Sequence, residues 1–178
     1  IFFSYLFISQ IFLINACFLS PKKEKSTKQL IFKGQKFLKQ GLLRKSLKNF
    51  QLASKKDPQN SQIKITIASL YIQLEEYKKA KELLKEASSK IKEEHELYFL
   101  LGESFRGLDN YAEAIFNYRK AQDLDPKRKA NLKALAWSYY KIRYYKEALK
   151  LLDPLIEQNI ADEQVYLMSS RIYSKLRK

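Results

Sequence analysis

A chain of 178 residues with 46% hydrophobic residues is long enough to bury one continuous core, and 4 Gly and 4 Pro beside 13% aromatics favour long helices over a turn-rich β fold. The formal charge is +15, and 12 Lys/Arg against 2 Asp/Glu between Pro21 and Gln59 put ten of those charges in that stretch. A single Cys, Cys17, and a single His, His95, exclude an intramolecular disulfide and a paired-His zinc site.

The first element is an uncharged run, Ile1 to Ser20, followed at once by Lys22, Lys23 and Lys25. About 17 to 25 such residues can span a bilayer as a helix, whereas the apolar core of a signal peptide is shorter, so residues 1–20 read as a signal or membrane-anchor segment and residues 21–26 as a basic tether. The chain begins with Ile rather than Met, which is compatible with a basic segment missing ahead of it. Leu13-Ile14-Asn15-Ala16-Cys17 resembles a relaxed bacterial lipobox, with an aliphatic residue three places before the Cys and a small one immediately before it. That resemblance implies a diacylated Cys17 at a new N-terminus. The competing reading keeps Cys17 as a small apolar residue of an uncleaved helix. The lysines after the apolar run oppose export, because positive charge there tends to stay cytoplasmic.

From Thr27 the chain repeats with a period of 34, with starts at Thr27, Ser61, His95, Lys129 and Glu163. The eighth residue of each repeat is small: Gly34, Ala68, Gly102, Ala136 and Ser170. Three residues on stands an aromatic: Phe37, Tyr71, Phe105, Tyr139 and Tyr173. The second half of a repeat carries small, large and small residues at helical spacing, as in Ala114, Tyr118 and Ala121. The fourth repeat departs from this with Leu155 in the last place. Asp57-Pro58 and Asp125-Pro126 close the first and third repeats, and Pro154, inside the last full second helix, is expected to kink or shorten it. Leu43, Tyr77, Tyr111 and Tyr145 recur at the repeat period and read as packing between helices rather than as a ligand box. This pattern resembles the tetratricopeptide repeat (TPR). The resemblance implies an all-α solenoid of helix-turn-helix units, with repeats at 27–60, 61–94, 95–128 and 129–162 and a capping helix at 163–178.

In that family the second, fifth, ninth, twelfth and thirteenth residues of each first helix face a concave groove. By that register the partner-binding candidates are Ile65, Ile72, Phe99, Arg106, Lys133, Trp137 and Tyr140. Trp137 reads either as a binding anchor or as a residue half-buried against the capping helix. The carboxylate clamp of chaperone-binding relatives is missing, since its places hold Ile31, Gln35, Thr66, Glu96 and Leu100. No phosphate loop, nucleophile elbow or paired-His motif is present, so neither catalysis nor a cofactor is expected. The resemblances together imply a protein-protein interaction scaffold of the bacterial cell envelope that is membrane-associated through its N-terminal segment. A membrane-anchored cytoplasmic adaptor is the alternative. Nucleic-acid binding by the basic first repeat ranks below both.

Overall fold

The computed structural model describes residues 25–91 and 93–177, so the apolar segment 1–20, Cys17 and most of the tether lie outside the described residues. Nine helices and no strand occupy those residues: α1 Thr27–Lys39, α2 Leu43–Lys56, α3 Ser61–Gln73, α4 Tyr77–Ser88, α5 His95–Gly107, α6 Tyr111–Leu124, α7 Lys129–Lys141, α8 Tyr145–Glu157 and α9 Glu163–Leu176. Every odd-numbered helix begins at a start read from the sequence, and every even-numbered helix begins sixteen residues later.

Side chains supply the missing partners at several helix starts. Ser26 and Gln29 form a reciprocal capping box on α1, and Asn60, Asn110 and Asp162 each accept a backbone N–H from the first turn of α3, α6 and α9. The hairpin inside each repeat turns by one recurring device. The fifteenth residue, which is Gly41, Glu75, Asp109 or Arg143, has a left-handed φ of 71°, 60°, 57° or 65°. The next backbone N–H then reaches back to the eleventh carbonyl at 2.8–2.9 Å, as from Asn110 to Phe105. This is the Schellman arrangement, and it satisfies carbonyls that the end of the first helix would otherwise leave unpaired. Only the first repeat places glycine there, which is why sequence alone signals one of the four turns.

The core is continuous along the array. Leu30, Phe50, Ile63 and Ile67 anchor it at the first two repeats, Leu84, Leu97, Leu101 and Tyr118 in the middle, and Leu152, Val165 and Ile172 at the far end. The small eighth residue lets the two helices of a repeat approach. A Cβ added to Gly102 would lie 2.4 Å from the ring of Tyr118, and one added to Gly34 would lie 2.7 Å from the ring of Phe50. Where the large partner is Leu84 or Leu152, the eighth residue is Ala68 or Ala136 instead, all four of them fully buried.

Pro154 does not cut short α8, which runs on to Glu157 with 13 residues, between the 12 and 14 of its counterparts. The proline sits in the last turn, where its missing N–H removes only one bond, to the carbonyl of the exposed Lys150. Leu155, the departure from the repeat pattern, is buried in the core against α9.

Candidate partner-binding groove

The first helices of the last three repeats, α5, α7 and α9, line a cavity of about 420 Å³. Its wall is apolar on one side, with Ala130, Ala134 and Trp137 from α7 facing Leu167 and Met168 from α9. Glu103, Arg106, Lys133, Gln164 and Arg171 form its polar edge. Three of the residues named from the sequence register, Arg106, Lys133 and Trp137, thus meet at one site.

The charged residues differ in how they are held. Glu103 accepts from Arg106 Nη2 at 2.5 Å and Nε at 3.2 Å, and from the hydroxyl of the buried Tyr118 at 2.5 Å. The hydrogen bond that Arg106 donates to Glu103 raises its guanidinium pKa above the ordinary value, while burial, reinforced by the adjacent carboxylate, pushes the Tyr118 phenol far up. Tyr118 is therefore a neutral donor and Arg106 a fixed cation whose charge is largely offset. Lys133 bonds Asp162 at 2.6 Å and Gln164 at 3.2 Å, which ties α7 to the N-terminus of α9. That bond, helped by the Val165 N–H, holds the Asp162 carboxyl below its usual range. Arg171 is exposed and its side chain makes no hydrogen bond or ion pair among the described residues. The groove thus offers an apolar slot about an indole, with one uncommitted guanidinium at its edge. Such a slot can hold an aliphatic or aromatic side chain whose own chain carries a nearby carboxylate.

Trp137 lines the cavity and also packs, half-buried, on the core, with the Tyr140 ring 5.5 Å away and Lys141 Nζ 5.9 Å from its centroid. Tyr140 is a second layer, bracketed by Trp137 and by Tyr145 at 5.9 Å. Ile65, named as a groove residue, is 2% exposed and belongs to the core with Leu97, Leu100 and Leu101, so it offers no surface. The reason is the direct packing of α3 on the next first helix, α5, whose Leu97, Leu100 and Leu101 share its core. Ile72 is half-buried against the same core, and Phe99 lies beneath the Arg128 guanidinium and beside Tyr118, away from the cavity.

Gln164, Leu167 and Arg171 were not singled out, because the last helix reads as a cap. They are the second, fifth and ninth residues of the fifth repeat, so the same register carried one repeat further would have found them. Among the described residues no cluster of His, Cys, Asp or Glu could hold a metal ion, and no helix is long and apolar enough to cross a membrane.

Two family models, each described as tetratricopeptide repeat, match residues 37–101 and 95–128. No curated protein matches in sequence. Among solved structures, the crystal structure of a MamA protein is similar with a TM-score of 0.74 at 19% identity, over 83% of this chain and 81% of that one. MamA from Desulfovibrio magneticus RS-1, residues 41 to the end, gives 0.71 at 19% identity over 78% of each chain. MamA of AMB-1 gives 0.70 at 21% identity, over 77% and 81%. Identities this low carry the fold alone.

Proposed function

Because the chain belongs to the tetratricopeptide-repeat family, we propose that it is a non-catalytic protein-interaction scaffold of a bacterial cell envelope that seats a partner segment in the concave groove of its last three repeats. The observation that carries this reading is the meeting of Trp137, Leu167 and the uncommitted Arg171 at one cavity. A partner side chain would fill the slot beside the indole, and a carboxylate of the partner would pair with Arg171. Cys17, by its lipobox-like context, would supply the lipid that holds the scaffold to a membrane, and the lysines after it would add attraction to an anionic surface.

A photo-crosslinking residue placed at Leu167 tests the groove. It should give a discrete adduct in cells that is lost on Trp137→Ala, whereas one placed at the outward-facing Lys146 should not; equal labelling from both positions would remove the groove reading. Labelled fatty acid tests the anchor, since incorporation should vanish in Cys17→Ala. The lysines at 22, 23 and 25 favour a second reading, a cytoplasmic adaptor on a transmembrane anchor. Protease treatment of intact cells separates the two, because it would leave the repeats of the adaptor whole.

A further inference from the structure

The second helices of the first two repeats, α2 and α4, border a cleft of about 870 Å³ on the face away from the groove. Its floor is Leu52, Ile67, Tyr71 and Leu83, and Leu52 remains 41% exposed. Its rim carries lysines of two kinds. Lys79 is committed, bonded to Glu76 at 2.6 Å and lying over the Tyr71 ring at 5.5 Å. The side chains of Lys48, Lys55 and Lys78 make no hydrogen bond or ion pair among the described residues. The two acidic residues at the edge do not balance them, because Glu86 is held by Lys64 at 2.6 Å and Glu82 by Lys81 at 3.0 Å. Three cations therefore stand uncompensated around an apolar floor.

The equivalent cleft one repeat on, between α4 and α6, shows what a self-filled version looks like. There the lysines lie on the cleft's own aromatic rings. Lys120 Nζ is 4.6 Å from the Phe116 centroid and 5.2 Å from that of Tyr98, and Lys85 Nζ is 5.8 Å from that of Phe105. In the first cleft, Glu82 and Glu86 occupy the register places of Phe116 and Lys120, so among the described residues Lys79 over Tyr71 is the one lysine seated on a ring there, and Leu52 stays exposed.

We propose that the cleft between α2 and α4 docks an acidic amphipathic helix of a protein partner. The apolar floor lies below the lysine rim, so an occupant must be narrow enough to enter while presenting carboxylates on both flanks. A helix with apolar residues at i and i+4 and Asp or Glu beside them does both. A flat anionic lipid surface would meet the lysines and leave the floor uncovered. The site is independent of the groove, which is lined by first helices alone.

The test uses the full chain and a fluorescein-labelled helical peptide of about 18 residues, with Leu at i, i+3, i+4 and i+7, Glu beside that stripe and Ala elsewhere, read by anisotropy. Binding should occur, weaken with added salt, and fall about tenfold or more in the triple variant Lys48→Glu/Lys55→Glu/Lys78→Glu. A charge-matched triple on exposed lysines of the third and fourth repeats, Lys127→Glu/Lys146→Glu/Lys150→Glu, should stay within about twofold of wild type. Leu52→Gln, which keeps the charge, should also weaken binding and serves if the cleft triple loses helical circular dichroism. Equal loss in both triples would reduce the effect to net charge, and equal binding of a peptide with Gln in place of Glu would reduce it to apolar contact; either result would overturn the proposal. Phosphatidylserine vesicles bound through the same three lysines, with no peptide binding, would overturn it in favour of a membrane surface.

Discussion

The first and third repeats close their helix pairs differently from the second and fourth. The odd repeats oppose glycine to an aromatic, Gly34 to Phe50 and Gly102 to Tyr118, whereas the even ones oppose alanine to leucine, Ala68 to Leu84 and Ala136 to Leu152. Parity extends further. Asn49 and Asn117 bond carbonyls four residues back at 2.7 and 2.8 Å where the even repeats have Leu83 and Leu151, and only the odd second helices stop at Asp-Pro, with the Asp turned out of the helical region at a φ of −134° or −141°. What is held constant is therefore the combined volume at the helix crossing rather than either residue, as expected for a close-packed interior that must fill its space.

The harshest way to break the comparison is a large residue at an odd crossing. Gly102→Leu should cost about 3 kcal/mol or more, because the Tyr118 ring already lies where the new Cβ would go and is itself buried. Urea unfolding measures this, and an unchanged midpoint would reject the assigned pairing. A gentler test converts one parity into the other. Gly102→Ala alone should destabilise by about 2 kcal/mol, and adding Tyr118→Leu should restore part of the loss, with a coupling of about 1–2 kcal/mol. Simple additivity would mean that the two positions do not share one space.

The two odd pairs differ from each other in one atom. Phe50 has no hydroxyl, whereas that of Tyr118 donates to Glu103. Tyr118→Phe should cost about 1.5 kcal/mol, a charge-assisted bond lost with little change of shape. It should also alter the response to alkali. Since the Tyr118 pKa is raised in the folded chain, its contribution is complete below the ordinary tyrosine value of about 10 and is lost as pH rises above it, where the unfolded chain ionises first. The stability difference between wild type and Tyr118→Phe should therefore narrow from pH 9 to 11, as followed by urea titration.

The repeat starts were legible because the eighth and eleventh residues recur without an insertion, and a period of 34 leaves little choice of helix boundary. The groove was legible in part. Arg106, Lys133 and Trp137 follow from register alone, but register does not say how closely neighbouring first helices pack, and Ile65 occupies a groove position that the core with α5 covers. Treating α9 only as a cover hid Leu167 and Arg171, which keep the groove register while Val165 and Ile172 do the covering. The network of Glu103, Arg106 and Tyr118 joins two helices across a gap of fifteen residues, and no local pattern announces it.

The smallest expected effect concerns a feature that ignores parity. The fifteenth residue is left-handed in all four repeats, yet it is Gly41 in the first and Arg143 in the fourth. Nothing lies within 4 Å of a Cβ built on Gly41, so any cost there comes from the backbone conformation and not from contact. A non-glycine residue in this region is penalised by about 1 kcal/mol. Gly41→Ala should therefore destabilise by about that much and Arg143→Gly should stabilise by a similar amount, since the exposed Arg143 side chain contributes little to the core. Paired urea unfolding of the two variants measures both signs. If both variants lost stability, the turn would depend on what the Arg143 side chain touches, and the four hairpins would not share one device.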